Sequence, residues 1–204
     1  MSEGKQRSLQ ISPEAGIIGA IAFLTVPLPW LTSAFIAAMI HELSHIAAVK
    51  MFGGKLLAFS ISTSGAVMRT SPLGLKASTI CAIAGPVGSL SLILLIHHLP
   101  LIAVCGFIQG LYNLIPICPL DGGKILCFML QHFNLPHADR ITIITEMLVA
   151  PILIIAACYI TIAFHFGILP ILAACILLLR VFLRKNSLQT ASGASTIVLP
   201  NNKR

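Results

Sequence analysis

The sequence is dominated by apolar stretches that approach or exceed the roughly 20 residues an α-helix needs to cross about 30 Å of hydrocarbon. Of its 204 residues, 57% are hydrophobic and only 9% are charged, a composition unlike that of soluble globular domains. We therefore predict an all-α polytopic membrane protein with about six transmembrane helices. The predicted spans cover residues 13–28, 30–52, 73–96, 101–132, 141–164 and 168–183.

Two segments interrupt this helical pattern. Residues 53–70 are rich in Ser, Thr and Gly, and their apolar residues alternate with polar neighbours, which favours a small membrane-associated β-hairpin between helices 2 and 3. Pro116 and Pro119 fall inside the fourth span, so that span is expected to be discontinuous or kinked. We expect one membrane-embedded domain over residues 1–204, with a flexible cytoplasmic tail at 186–204.

The distribution of basic residues predicts the orientation, because Lys and Arg near span ends concentrate on the cytoplasmic side. All 13 Lys and Arg lie near the termini, between spans two and three, or near the turn between spans four and five. The opposite turns, around Pro29, Pro100 and Gly167, contain none. Both termini are thus predicted to be cytoplasmic. The net charge of +7 is scattered rather than clustered, so no nucleic-acid partner is expected.

The second span contains the motif HELSH, from His41 to His45. Histidines four residues apart project from one helical face and can bind one metal ion, and two imidazoles suit zinc. The adjacent Glu42 can then act as general base toward water that the cation activates. The alternative is that both histidines only form hydrogen bonds to other helices.

Asp121 is the natural third ligand. Buried histidines and a carboxylate in a hydrophobic span need a compensating partner, and a divalent cation supplies one. Glu42, Asp121 and Glu146 are the acidic residues within or beside the later spans. In the predicted topology, Asp121 lies at the same cytoplasmic end as the two histidines. Gly122 and Gly123 follow it and permit close backbone approach.

These motifs carry a family resemblance. HELSH in one span, followed two spans later by NLIPICPLDGGK at residues 113–124, resembles the site-2 protease family of intramembrane metalloproteases. Residues 84–86, Ala-Gly-Pro, are similar to a small-residue motif of that family. The likeness covers about residues 30–132, the catalytic core, and residues 114–124 are similar to the sporulation sigma-factor-processing branch.

The resemblance implies one Zn²⁺ per chain bound by His41, His45 and Asp121, with Glu42 as base. Asn113 would be a hydrogen-bond donor or positioning group near the scissile carbonyl, although a turn or helix-bonding amide in a broken span is equally consistent with the sequence. The implied activity is hydrolysis of a peptide bond in or near a transmembrane segment of a membrane-tethered substrate. A bacterial cell membrane and a regulatory membrane protein are further expectations.

The predicted hairpin resembles the family's membrane-associated strands, to which an unwound substrate could add a strand. A plain surface hairpin fits the sequence equally well. Glu146, inside the fifth span, is either a group that supports the site or a packing residue.

Two other functions fit parts of the sequence. A polytopic divalent-metal transporter would use the same residues as a transit site, and a catalytically silent protein would only bind membrane helices. The Asp-Gly-Gly sequence and the chemically competent residues at every proposed position favour the protease.

Overall fold

The computed structural model describes residues 9–11, 13–62, 65–135, 138–164, 170–172, 174–179 and 181–183. Six helices are α1 (Pro13–Thr25), α2 (Leu28–Met51), α3 (Leu75–Ser91), α4 (Pro100–Asn113), α5 (Asp121–His132) and α6 (Ala138–Phe164). A 3-10 helix, Leu92–Leu95, continues α3, and a further apolar helix covers Pro170–Leu183 apart from positions 173 and 180. The predicted tail at 186–204 lies outside the described residues.

The helices are mostly those expected from hydropathy. Within the described residues, three helices are long and apolar enough to cross a membrane: Leu28–Met51, Leu75–Leu95 and Arg140–Ala163. The predicted first span is a helix of 13 residues, shorter than a bilayer crossing requires. The mostly helical fold is therefore confirmed, while the count of six spans stays a prediction.

The predicted break in the fourth span is confirmed. Helix α4 ends at Asn113 and α5 begins at Asp121, so residues 114–120 separate two helices instead of kinking one. The two prolines in this segment explain the break, because each lacks the N–H that a continuous helix would use.

Helix α2 buries small and polar side chains and exposes large apolar ones. Its buried face repeats every four residues at Ser33, Ala37, His41 and His45, whereas Phe35 is 67% exposed. In α3 the buried residues are likewise small: Cys81, Ala82, Gly85, Pro86 and Ser89. This distribution is typical of helices in lipid, where small residues bring backbones together and apolar side chains face the hydrocarbon.

The core around the site is a group of four helices. Helix α2 packs against α3 and α4, and α3 also packs against α4 and α5. Helix α2 ends at a turn in which Gly53 has a φ of 73°, a left-handed conformation that glycine adopts without a steric penalty.

The segment between α2 and α3 is the predicted hairpin, with one strand that was not predicted. Strands β2 (Leu56–Ser62) and β3 (Gly65–Thr70) are antiparallel. Strand β1 (Leu9–Ile11) adds to β2 in parallel, which gives the sheet order β1-β2-β3. Three residues near the N-terminus are too short a pattern to be read as a strand from sequence.

The chain divides into two compact units, Met1–Thr142 and Ile143–Arg204. The first contains the sheet, α1 to α5 and all five residues predicted to form the site. The second contains Glu146, which is fully buried. The prediction of a single domain over 1–204 stays a prediction.

Candidate metal centre

The structure brings together the three side chains predicted to bind metal. The Nε2 atoms of His41 and His45 each lie 3.0 Å from Oδ2 of Asp121, and the two Nε2 atoms are 3.1 Å apart. All three residues are buried, and they form a group of potential ligands within the described residues. Two helices separated by about 80 positions along the chain thus contribute to one small cluster.

The hydrogen bonds on the far side of each imidazole aim its Nε2 atom at this cluster. Nδ1 of His45 donates to the carbonyl oxygen of Cys81 over 2.7 Å. Because a carbonyl can only accept, Nδ1 carries a proton, and in the neutral imidazole the lone pair is then on Nε2. Nδ1 of His41 lies 2.8 Å from Oγ of the fully buried Ser89. Such outer hydrogen bonds orient metal-binding histidines and set their tautomer.

The donor set fits a zinc ion. Tetrahedral zinc with bonds of about 2.0–2.1 Å to nitrogen and oxygen separates its ligand atoms by about 3.3 Å, close to the 3.0–3.1 Å found among these three atoms. In the tautomer with a proton on each Nδ1, the lone pairs of the two Nε2 nitrogens and of one carboxylate oxygen face one another. A divalent cation held by His41, His45 and Asp121 would stabilise that arrangement.

Helix α3 can approach the histidines because of Gly85. A Cβ atom at this position would clash with the His45 ring, including Nε2 itself. Pro86 follows and lacks the N–H that would otherwise bond the Ala82 carbonyl within α3. The glycine of the Ala-Gly-Pro motif seen in the sequence therefore packs directly against a predicted ligand.

Asp121 occupies the first position of α5, where the positive end of the helix dipole favours an anion. The two glycines after it allow the helix to begin against the preceding turn. A Cβ at Gly122 would clash with the Leu114 carbonyl, and one at Gly123 would clash with the backbone of Ile117 and Cys118. The expected close approach at these glycines is confirmed.

Glu42 lies between the two histidines in the sequence of α2 and is half-buried. Its carboxylate interacts electrostatically with His41, His45 and Asp121. It is therefore beside the cluster without being one of its three converging donors. That position suits a group that exchanges protons with water at the site.

Asn113 is placed differently. It is the last residue of α4 and is half-buried, and its Nδ2 donates to the Gln109 carbonyl of the same helix over 3.1 Å. The described hydrogen bonds do not join it to His41, His45 or Asp121. Its catalytic role stays a proposal.

Sequence reasoning missed three supporting groups: the Ser89 hydroxyl, the Cys81 carbonyl and Lys124, whose Nζ lies 2.8 Å from Oδ1 of Asp121. A backbone carbonyl leaves no signal in a sequence. Lys124 could have been found, because residues three apart on a helix are neighbours. Ser89 lies on the same face of α3 as Gly85, four residues away, but only the packing of α2 on α3 shows which histidine it reaches.

The chain is similar to known proteins both in sequence and in fold. Residues 67–156 match the model of peptidase family M50, a range that includes Asn113 and Asp121 but not the HELSH motif. The fold is similar to the structure of the site-2 protease from Methanocaldococcus jannaschii, with a TM-score of 0.58 and 17% identity over 96% of this chain and 94% of that chain. A comparison with curated protein sequences finds no significant match.

The fold and the site together define a helical protein with a buried cluster of two histidines and one aspartate, and its described part contains three candidate membrane spans. Within that class, the family match and the structural match confirm the resemblance to the site-2 protease family. The family match indicates a peptidase-like sequence over residues 67–156, and the structural match shows the fold.

Proposed function

We propose that this protein is an intramembrane zinc endopeptidase that hydrolyses a peptide bond in or near a transmembrane segment of a membrane-tethered protein. The site and both termini would face the cytoplasm of a bacterial cell, and one Zn²⁺ per chain would be bound by His41, His45 and Asp121. A regulatory membrane protein is proposed as a further partner.

One observation supports this proposal above the others. Two Nε2 atoms and one carboxylate oxygen converge within 3.1 Å of one another at a buried position, and the far nitrogen of each histidine is engaged in a separate hydrogen bond. Histidines that only joined helices through hydrogen bonds would not need to direct their Nε2 atoms at one point. Zinc bound between these three atoms would supply Lewis acidity toward a carbonyl oxygen and toward water.

The protein's own residues supply the proton transfers. Glu42 is placed to accept a proton from the attacking water and to deliver it to the amine nitrogen that leaves, which balances the hydrolysis. Asn113 is proposed as a donor to the oxygen that becomes negative in the transition state, which requires its amide to exchange the Gln109 bond for one to substrate.

The sheet offers a way to expose the scissile peptide bond. A helix hides its peptide groups in internal hydrogen bonds, so a membrane helix must unwind before it can be cut. Among the described strands, β3 has one edge that no strand covers. An unwound substrate segment could pair with that edge and keep its backbone groups satisfied.

The test uses Glu42→Gln in a cell that co-expresses candidate single-span substrates. The variant keeps the size of the side chain and removes its basicity, so cleavage should fall by about 100-fold or more while zinc content is unchanged. His98→Asn, at an exposed position outside the site, is the control and should cleave normally.

Cleavage that is unaffected by Glu42→Gln would contradict the proposed base. A metal transporter makes the opposite prediction: altered metal flux into proteoliposomes and no proteolysis by the wild type.

A further inference from the structure

We infer that Lys124 is a positioning residue of the metal site, which holds Asp121 so that a single carboxylate oxygen faces the metal. Its Nζ donates to Oδ1 over 2.8 Å, whereas Oδ2 lies 3.0 Å from both Nε2 atoms. The two oxygens of one carboxylate thus have separate partners. This inference rests on the proposed function, because it assigns a role in the same zinc site.

The separate partners of the two Asp121 oxygens determine how many ligand atoms this residue can offer to a metal. An aspartate with both oxygens free can bind a metal through both and thereby occupy two coordination positions. A charge-assisted bond from Lys124 occupies Oδ1, so Asp121 contributes one ligand atom. Catalytic zinc needs a position left open for water or substrate, and Lys124 keeps Asp121 from taking it.

Lys124 differs from an ordinary surface ion-pair residue. Exposed ion pairs contribute little because both partners are well solvated. Here the lysine side chain is 47% exposed, but the Asp121 side chain is only 6% exposed. The bond therefore lies between a solvent-accessible cation and a buried ligand. The spacing of three residues on α5 lets the lysine reach from the surface to the first residue of its own helix.

Lys124 also interacts electrostatically with the Glu42 carboxylate. One cation therefore lies near both acidic groups of the site. A neutral side chain at this position should free Oδ1 to coordinate the metal as well as weaken the orientation of Asp121.

The experiment compares full-length wild type with Lys124→Met and Lys124→Arg, each stripped of metal and reloaded with Zn²⁺ or Co²⁺. Lys124→Met keeps the aliphatic stem and removes the donor, while Lys124→Arg keeps a donor. The matched control is Lys50→Met, an exposed lysine in the last turn of α2. Metal affinity is measured by competition with a chelator, and coordination by the visible spectrum of the Co²⁺ form.

Lys124→Met should lose about tenfold in metal affinity, the lower end of the effect of an outer hydrogen-bond partner. Its Co²⁺ absorption should become weaker and shifted, as expected when the coordination number increases. Lys124→Arg should recover most of the affinity and the wild-type spectrum, and Lys50→Met should match the wild type.

An affinity and a spectrum of Lys124→Met equal to those of the wild type would overturn the role of Lys124 and leave the zinc site intact. Failure of the wild type itself to bind Zn²⁺ or Co²⁺ would instead overturn the proposed function.

Discussion

The metal cluster and the end of α4 at Asn113 differ in how their side chains are held. Each cluster member has partners on two sides: His45, for example, bonds the Cys81 carbonyl through one nitrogen and faces Asp121 with the other. The Asn113 amide donates within its own helix. A site whose groups have several partners is held ready to bind a metal, whereas a group held by a local bond has to change partner when substrate arrives. The difference can be measured by comparing the metal affinity of variants at the cluster with that of variants at Asn113.

The largest effect is expected for Asp121→Asn. The amide lacks the negative charge that offsets a divalent cation between two imidazoles, so the loss of zinc affinity should exceed the roughly 10–100-fold typical of a change outside the ligand set. Metal analysis of the purified protein checks this, with Asn113→Asp as the control. Full zinc content in Asp121→Asn would remove the aspartate from the proposed ligands.

Gly85→Ala comes next. The added Cβ would clash with the His45 ring, and relief requires α3 or the histidine to move, which should lower zinc affinity up to about 100-fold. Overpacking should also cost about 1–3 kcal/mol of stability.

Two matched glycines separate these effects. Gly88→Ala would press on Ser44 across the same helix pair, and Gly74→Ala would meet open space. Gly88→Ala should lose stability but little metal affinity, and Gly74→Ala should lose neither. Equal metal loss in Gly85→Ala and Gly88→Ala would show that helix packing, and not the His45 contact, matters.

Ser89→Ala should have a smaller effect. It leaves Nδ1 of His41 without its buried partner, so the ring is less well oriented and zinc affinity should fall about tenfold. Ser91→Ala is the control, because that hydroxyl is exposed and bonds within its own helix. The zinc affinity of both variants is measured by competition with a chelator. An unchanged affinity in Ser89→Ala would argue against an orienting role of the Ser89 hydroxyl.

Asn113→Ala should leave zinc affinity unchanged. If the amide serves as a donor in the transition state, cleavage should nevertheless fall about 100–1,000-fold, measured on a single-span substrate. Gln109→Ala keeps the backbone carbonyl that accepts from Asn113 and is the control. Normal cleavage by Asn113→Ala would show that Asn113 only forms a hydrogen bond at the end of α4.

Much of the fold could be predicted because lipid imposes simple rules. Helix α2 was expected at residues 30–52 and lies at Leu28–Met51, since length and hydropathy largely determine such a helix. The prolines predicted the break before α5. The length of the first helix was overestimated, because the apolar sequence continues to residue 28 whereas α1 ends at Thr25. Strand β1 was missed because its pairing partner lies some 50 residues away.

The sequence by itself determined which side chains are the candidate metal ligands. A pair of histidines four residues apart on a helix must share a face, and an acid in a hydrophobic setting must find a compensating charge, so His41, His45 and Asp121 could be named without coordinates. Only the tertiary structure decided what surrounds them. Packing decided that the Cys81 carbonyl accepts from His45 and that the Ser89 hydroxyl lies beside His41. It also left Oδ2 of Asp121 facing the histidines while Lys124 bonds Oδ1. These contacts depend on the distance between packed helices, and that distance is set by side chains brought together from separate parts of the chain.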